Sequence, residues 1–234
     1  MRTIGILGGM GPESTAELYL EIIRVFQQEY GAKYDSDFPP ILIYSLPLPD
    51  VVEGLENESA VVSLLIQGVK KLEQMGADFI VIACNTVQVY LFQMRQAVKI
   101  PILSIPEETL LEIKGQKYSK VGLLATELTY ISKLFDLESI NFGIDLIKPE
   151  PIQQKILTTV IMNILAGNKS PSDKEKLLEI IQYLSLKESE AIILGCTDLS
   201  LLLNQEDSNL KLFDTIKILA RAAVRECRQN IYKP

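Results

Sequence analysis

Cys84 and Cys196 stand in matching surroundings. "FIVIACNT" (residues 79–86) and "AIILGCT" (residues 191–197) each drive a β-rich apolar run into a thiol that a threonine soon follows. One such cysteine, taken alone, reads best as a buried structural residue. Two in parallel contexts favour chemistry. A thiol between a strand and a helix start meets N–H donors and a positive dipole, so its pKa is expected to fall toward neutrality. Asn85, Thr86 and Thr197 add donors of the kind that orient a carboxylate.

Two opposed thiols suit stereoinversion at an acidic carbon. One thiolate removes the α-proton while the other thiol delivers a proton to the opposite face, and the roles exchange for the other enantiomer. Donors near the substrate carboxylate would stabilise the enolate-like charge that develops.

The chain of 234 residues contains no histidine. A Ser-His-Asp or Cys-His pair therefore cannot be built, nor a histidine zinc site. The three cysteines lack CxxC spacing and make a poor metal cage, so no metal is expected. Their odd, scattered placement argues against a disulfide framework and for a reducing compartment, with the cytoplasm as the default. The balance of 23 basic and 30 acidic residues gives −7. No Lys/Arg cluster makes a nucleic-acid footprint. No apolar run reaches the roughly 18 residues that span a bilayer, so no membrane partner is expected.

"GGMGPEST" (residues 8–15) joins a strand to a helix. Its free N–H groups could hold a carboxylate or phosphate, and a purely structural tight turn is about as good a reading. It matches neither G-x-G-x-x-G nor a P-loop, which makes a nucleotide reading poor.

Holding these residues in place requires short β-rich runs that alternate with longer helical periods, the pattern of parallel α/β architecture. Strands are expected over 3–7, 41–45, 79–83, 102–104, 121–124, 144–147 and 191–194. A helix over 59–75 puts Val61, Leu65, Val69 and Leu72 on one face, and another over 215–230 carries Cys227 on its apolar stripe. Residues 167–176 read as a turn between helices with Ser170 or Ser172 as N-cap, and 204–209 as a surface loop.

A weak internal repeat adds to this. "IGILGG" and "FIVIACNT" in the first half answer to "VGLLAT" and "AIILGCT" in the second. Chance likeness between apolar strands competes with that reading; two similar lobes would explain it. The expected division is 1–105 with 215–234 as one lobe and 106–214 as the other. Ligands gather beyond the carboxyl ends of parallel strands. Two facing lobes would then bring both cysteines to a shared cleft.

"GILGGMGPEST", "ACNT", "LLAT" and "GCTDLSLLL", in this order, resemble the aspartate/glutamate racemase family of cofactor-independent two-cysteine enzymes, in its aspartate racemase branch. The resemblance spans essentially the whole chain. It implies two pseudo-symmetric α/β lobes with the site between them, a homodimer, and a small acidic amino acid as substrate, aspartate first and glutamate or another acid next. Cys84 and Cys196 would be the proton-transfer thiols, with Met10, Asn85, Thr86, Thr126, Lys155 and Thr197 binding the substrate. Three positions depart from the family pattern. Gln88 stands where a histidine is usual, Asp198 where a glutamate is usual, and Val51 in "LPDVVEG" where an arginine often grips the distal carboxylate. A maleate-isomerase-type reaction on the same fold, with one cysteine as covalent nucleophile, is the second enzymatic reading. A small-acid-binding regulatory module is the non-enzymatic one.

Overall fold

The computed structural model describes residues 1–49, 51–52 and 57–229. Its strands form two parallel sheets. In the first, β1 (Ile4–Gly8) lies between β2 (Ile41–Ser45) and β3 (Phe79–Ile82). In the second the order is β5 (Asp145–Ile147), β4 (Lys120–Leu124), β6 (Ala191–Leu194) and β7 (Lys211–Asp214). The first three strands of each sheet are thus laid down in the same order, the structural counterpart of the sequence repeat. β1, β3 and β6 are buried at every position, as strands of a parallel sheet covered on both faces must be.

The helices are α1 (Pro12–Tyr30), α2 (Glu58–Gln74), α3 (Leu91–Ala97), α4 (Ile105–Gly115), α5 (Glu127–Ile131), α6 (Leu134–Phe142), α7 (Pro151–Leu165), α8 (Pro171–Leu186) and α9 (Thr215–Arg228). The apolar face expected on α2 is the buried one. α9 packs on α1: its Ile216, Leu219, Ala220, Ala223, Val224 and Cys227 join Ile4, Leu18, Ile22 and Phe26 in one core. Leu110 and Ile113 of α4 instead join the core around β4 and β6, so each of these helices reaches the sheet built from the other half of the chain. Each fully buried Leu, Ile or Val contributes about 1.5–3 kcal/mol, which makes these exchanged helices a firm clamp on the cleft.

Several local expectations change. The strand over 102–104 shrinks to a single parallel bridge between Ile102 and Ile80, because Ser104 already caps α4 by accepting the Glu107 N–H. β7 carries no strand signal in the sequence, since "KLFD" is four residues long with a charge at each end; pairing with β6 creates it. Ser170 is the residue that caps α8. Residues 204–209 include a short 3-10 turn at Gln205–Asp207. No helix among the described residues is long and apolar enough to cross a membrane.

Candidate active site

The two cysteines are placed by the same device in each sheet. Ala83 N–H donates to the Leu7 carbonyl at 3.0 Å, and Gly195 N–H donates to the Leu124 carbonyl at 2.7 Å. Each bond extends the ladder one residue past its strand. The next residue is the cysteine, and a one-turn 3-10 segment follows, Thr86–Tyr90 in one half and Thr197–Leu201 in the other.

Both thiols line one cavity of about 170 Å³ at the carboxyl ends of the two sheets. By this measure about 10–15 Å³ already holds one water, so the cavity has room for a small amino acid. Met10, Asn85, Thr86, Thr126 and Thr197 line it as expected. Lys155 does not. The buried stripe of α7 is Leu157, Val160, Ile161 and Ile164, which turns Lys155 to the exposed side along with Ile156. A lysine beside an apolar stripe is ordinarily solvated, and that is the arrangement found.

The lining also contains residues outside the expected set: Gly9, Gly11 and Pro12 from the first loop, Leu48, Pro49, Val51 and Val52 after β2, Leu165 at the end of α7, and Asp198. The first loop is held from inside. Gly9 N–H donates to Thr15 Oγ1 at 2.9 Å, and that hydroxyl donates to the Gly11 carbonyl at 2.9 Å. Gly9 has φ +93°, and a Cβ there would lie 2.5 Å from the Leu46 carbonyl oxygen. Only glycine fits.

Hydrogen bonds tie the halves together around the cavity. Thr86 Oγ1 and Thr126 Oγ1 are 3.0 Å apart, and Thr126 Oγ1 is again 3.0 Å from Thr129 Oγ1. Asn85 Nδ2 donates to Thr215 Oγ1 at 3.0 Å, whose hydroxyl donates to the Leu194 carbonyl at 2.8 Å. That leaves Asn85 Oδ1 buried without a hydrogen-bond partner among the described residues. Gln88, also buried, points elsewhere: its Oε1 accepts the Ile105 N–H at 2.9 Å and so fixes the start of α4.

Asp198 is the carboxyl that acts on both thiols. Ser14 Oγ donates to its Oδ1 at 2.6 Å, and Cys196 Sγ donates to its Oδ2 at 3.6 Å. Burial raises its pKa, against the pull of those donors.

The thiols do not titrate toward neutrality. Burial pushes Cys84 up to about 11; the N–H groups of Val87 and Thr86 and the Thr86 hydroxyl pull it down, but less, while the Asp198 charge pushes it further up. Cys196 is pushed well above its ordinary value, first by burial, then by the Asp198 charge and by Cys84. Each cysteine is only 5% exposed, and at that depth desolvation outweighs the favourable N–H donors that the sequence pattern suggests. That Cys84 charge is felt at Cys196 marks the pair as electrostatic neighbours.

All three cysteines are free thiols, and Cys227 lies apart in the α9 core with its Sγ donating to the Arg2 carbonyl at 3.1 Å. Among the described residues no group of three or more His, Cys, Asp or Glu side chains is placed to hold a metal ion.

The chain is 33% identical over 224 residues to the broad specificity amino-acid racemase RacX of Bacillus subtilis (strain 168), covering 94% of this chain and 96% of that one. Its fold is similar to Picrophilus torridus aspartate racemase, with a TM-score of 0.85, 25% identity and coverage of 97% and 94% of the two chains. It is also similar to PH1733, an aspartate racemase homologue from Pyrococcus horikoshii OT3, with a TM-score of 0.81, 30% identity and coverage of 97% and 99%. The sequence model of the family described as Asp/Glu/Hydantoin racemase matches residues 7–223, and the chain belongs to that family of amino-acid racemases.

Proposed function

We propose that this chain inverts an amino acid at its α-carbon by proton transfer between Cys84 and Cys196, without pyridoxal phosphate, metal or nucleotide. The observation that carries the reading is the pair itself: two buried thiols, each two residues past an equivalent strand, lining one cavity of amino-acid size.

One thiolate takes the proton from Cα, and the carbanion's charge spreads into the substrate carboxylate. The opposite thiol returns its own proton to the other face. The first cysteine ends as the thiol and the second as the thiolate, so the pair is reset for the reverse enantiomer with no net gain or loss of protons. Thr86, Thr126 and Thr197 supply hydroxyl donors for the carboxylate where charge develops, and Asn85 Oδ1 supplies an acceptor for the ammonium group. Asp198 and Ser14 hold the Cys196 Sγ–H in one orientation. Burial makes each thiolate scarce but strongly basic, which suits removal of a weakly acidic proton. The ammonium group, arriving in a chamber that no cationic side chain lines among the described residues, is the charge that favours a thiolate there.

The sequence resemblance points to aspartate, and the likeness to the Picrophilus aspartate racemase and to the Pyrococcus aspartate racemase homologue supports it. The Bacillus relative's name supports a wider range. A homodimer goes with this reading on the ground of the resemblance. Proton NMR in D₂O tests the function directly. The account expects solvent deuterium at Cα, together with loss of optical rotation. A covalent maleate adduct on one cysteine, with no wash-in from any amino acid, would replace racemisation by the isomerase-type reaction.

A further inference from the structure

We infer that the substrate's side chain is neutral and aliphatic rather than a carboxylate; the inference rests on the racemase reading and names the substrate class of the same site. A chiral amino acid presents three arms to this cavity. Two of them, the carboxylate and the ammonium, match the polar groups clustered by the thiols. What remains for the third arm is the wall of Met10, Leu48, Val51, Val52 and Leu165, which is apolar. No Lys or Arg lines the cavity among the described residues. The sequence carries none anywhere from residue 34 to residue 69, the stretch that contains the lining residues Leu48, Val51 and Val52. The cation whose charge is felt at Asp198, Lys169, is already paired with Glu13 at 2.7 Å.

A second carboxylate would therefore enter a cavity with no cation among the described residues to meet it and with the Asp198 carboxyl already in its lining. Desolvating an unpaired carboxylate is among the costliest steps in binding, and a like charge nearby adds to it. A short aliphatic arm instead gains by removing the apolar wall from water. A cationic arm would meet one carboxyl, Asp198, whose two oxygens already accept from Ser14 and from the Cys196 thiol.

The test is Cα deuterium wash-in measured over a panel of L-alanine, L-valine, L-leucine, L-aspartate, L-glutamate and L-lysine. The expected result is a kcat/KM for the best aliphatic substrate at least about tenfold above those of aspartate, glutamate and lysine, the size of effect one unpaired buried polar group produces. A charged amino acid equal to or better than the aliphatic ones overturns the inference while leaving the racemase reading intact. If no amino acid exchanges, the racemase reading fails, and calorimetric binding of the same compounds decides the class: valine tighter than aspartate upholds it, aspartate tighter than valine ends it. Val51→Arg gives an independent check by setting a cation into the wall. The ratio of aspartate to valine turnover should rise by about tenfold or more; an unchanged ratio in a folded variant counts against the assignment.

Discussion

Ser14 Oγ donates to Asp198 Oδ1 at 2.6 Å, a bond between residues 184 positions apart that joins the first turn of α1 to the segment after β6. The other oxygen of the same carboxylate accepts from the Cys196 thiol. The first loop of the chain is thereby coupled to the second of the two cysteines.

Asp198 raises the pKa of Cys196 both through its charge and by accepting the thiol's hydrogen bond. Asp198→Asn removes the charge, so the Cys196 pKa should fall and its thiolate should form more readily. At fixed pH 8, alkylation of Cys196 by iodoacetamide, followed by peptide mass spectrometry, should speed up by about tenfold for each 1.4 kcal/mol of repulsion removed. Slower or unchanged alkylation would mean that the carboxyl is protonated in the resting protein.

Thr126→Val keeps the shape of the side chain and deletes the hydroxyl that meets both Thr86 and Thr129 and caps α5. Loss of that cap should cost about 1 kcal/mol in urea unfolding. Loss of a donor at the carboxylate should lower kcat/KM by a further tenfold or so, on the scale of one hydrogen bond to a charged group. A stability change with full activity would move Thr126 out of the site and leave it as a cap.

Much of this site was legible before any coordinates. Cys84, Asn85, Thr86, Thr126, Cys196 and Thr197 all follow from one rule, that residues just past the ends of parallel strands face the ligand. The repeated strand order could be read because parallel strands buried on both faces leave unbroken apolar runs. β7 could not, because "KLFD" owes its strand to its partner rather than to its own residues. The cavity wall at Leu48, Val51 and Val52 belongs to a loop with no periodicity, and Leu165 closes the chamber from the far end of a helix. Asp198 was noticed only as a departure from a family pattern; a carboxyl two residues after a strand-end thiol was the available signal. Lys155 was named on family position alone, and the helical stripe beside it already argued for solvent. The direction of the thiol pKa was misread because burial is a property of the assembled fold, whereas N–H donors can be counted from sequence.

Gly9→Ala should destabilise the protein without any change in chemistry at the thiols. A φ of +93° costs a residue with a Cβ about 1–3 kcal/mol, and the contact with the Leu46 backbone adds to that. Urea unfolding should show a lower midpoint with an unchanged m-value. A midpoint equal to wild type would mean that the loop relaxes freely.

The raised thiols set the pH dependence. Cys84 titrates at about 11, so at neutral pH only a small fraction is thiolate, and that fraction grows as pH rises. While the substrate's ammonium group stays protonated, kcat/KM should therefore climb with pH from 7 to 9 by up to about tenfold per unit. A bell centred near neutrality would show a preformed thiolate instead.

The most direct test of the two-thiol account is deuterium wash-in from each enantiomer separately, measured on Cys84→Ser and Cys196→Ser beside wild type. Racemisation should vanish in both, and each variant should still exchange the α-hydrogen of only one enantiomer, the opposite one in the two cases. Wild-type racemisation in either variant would contradict the account.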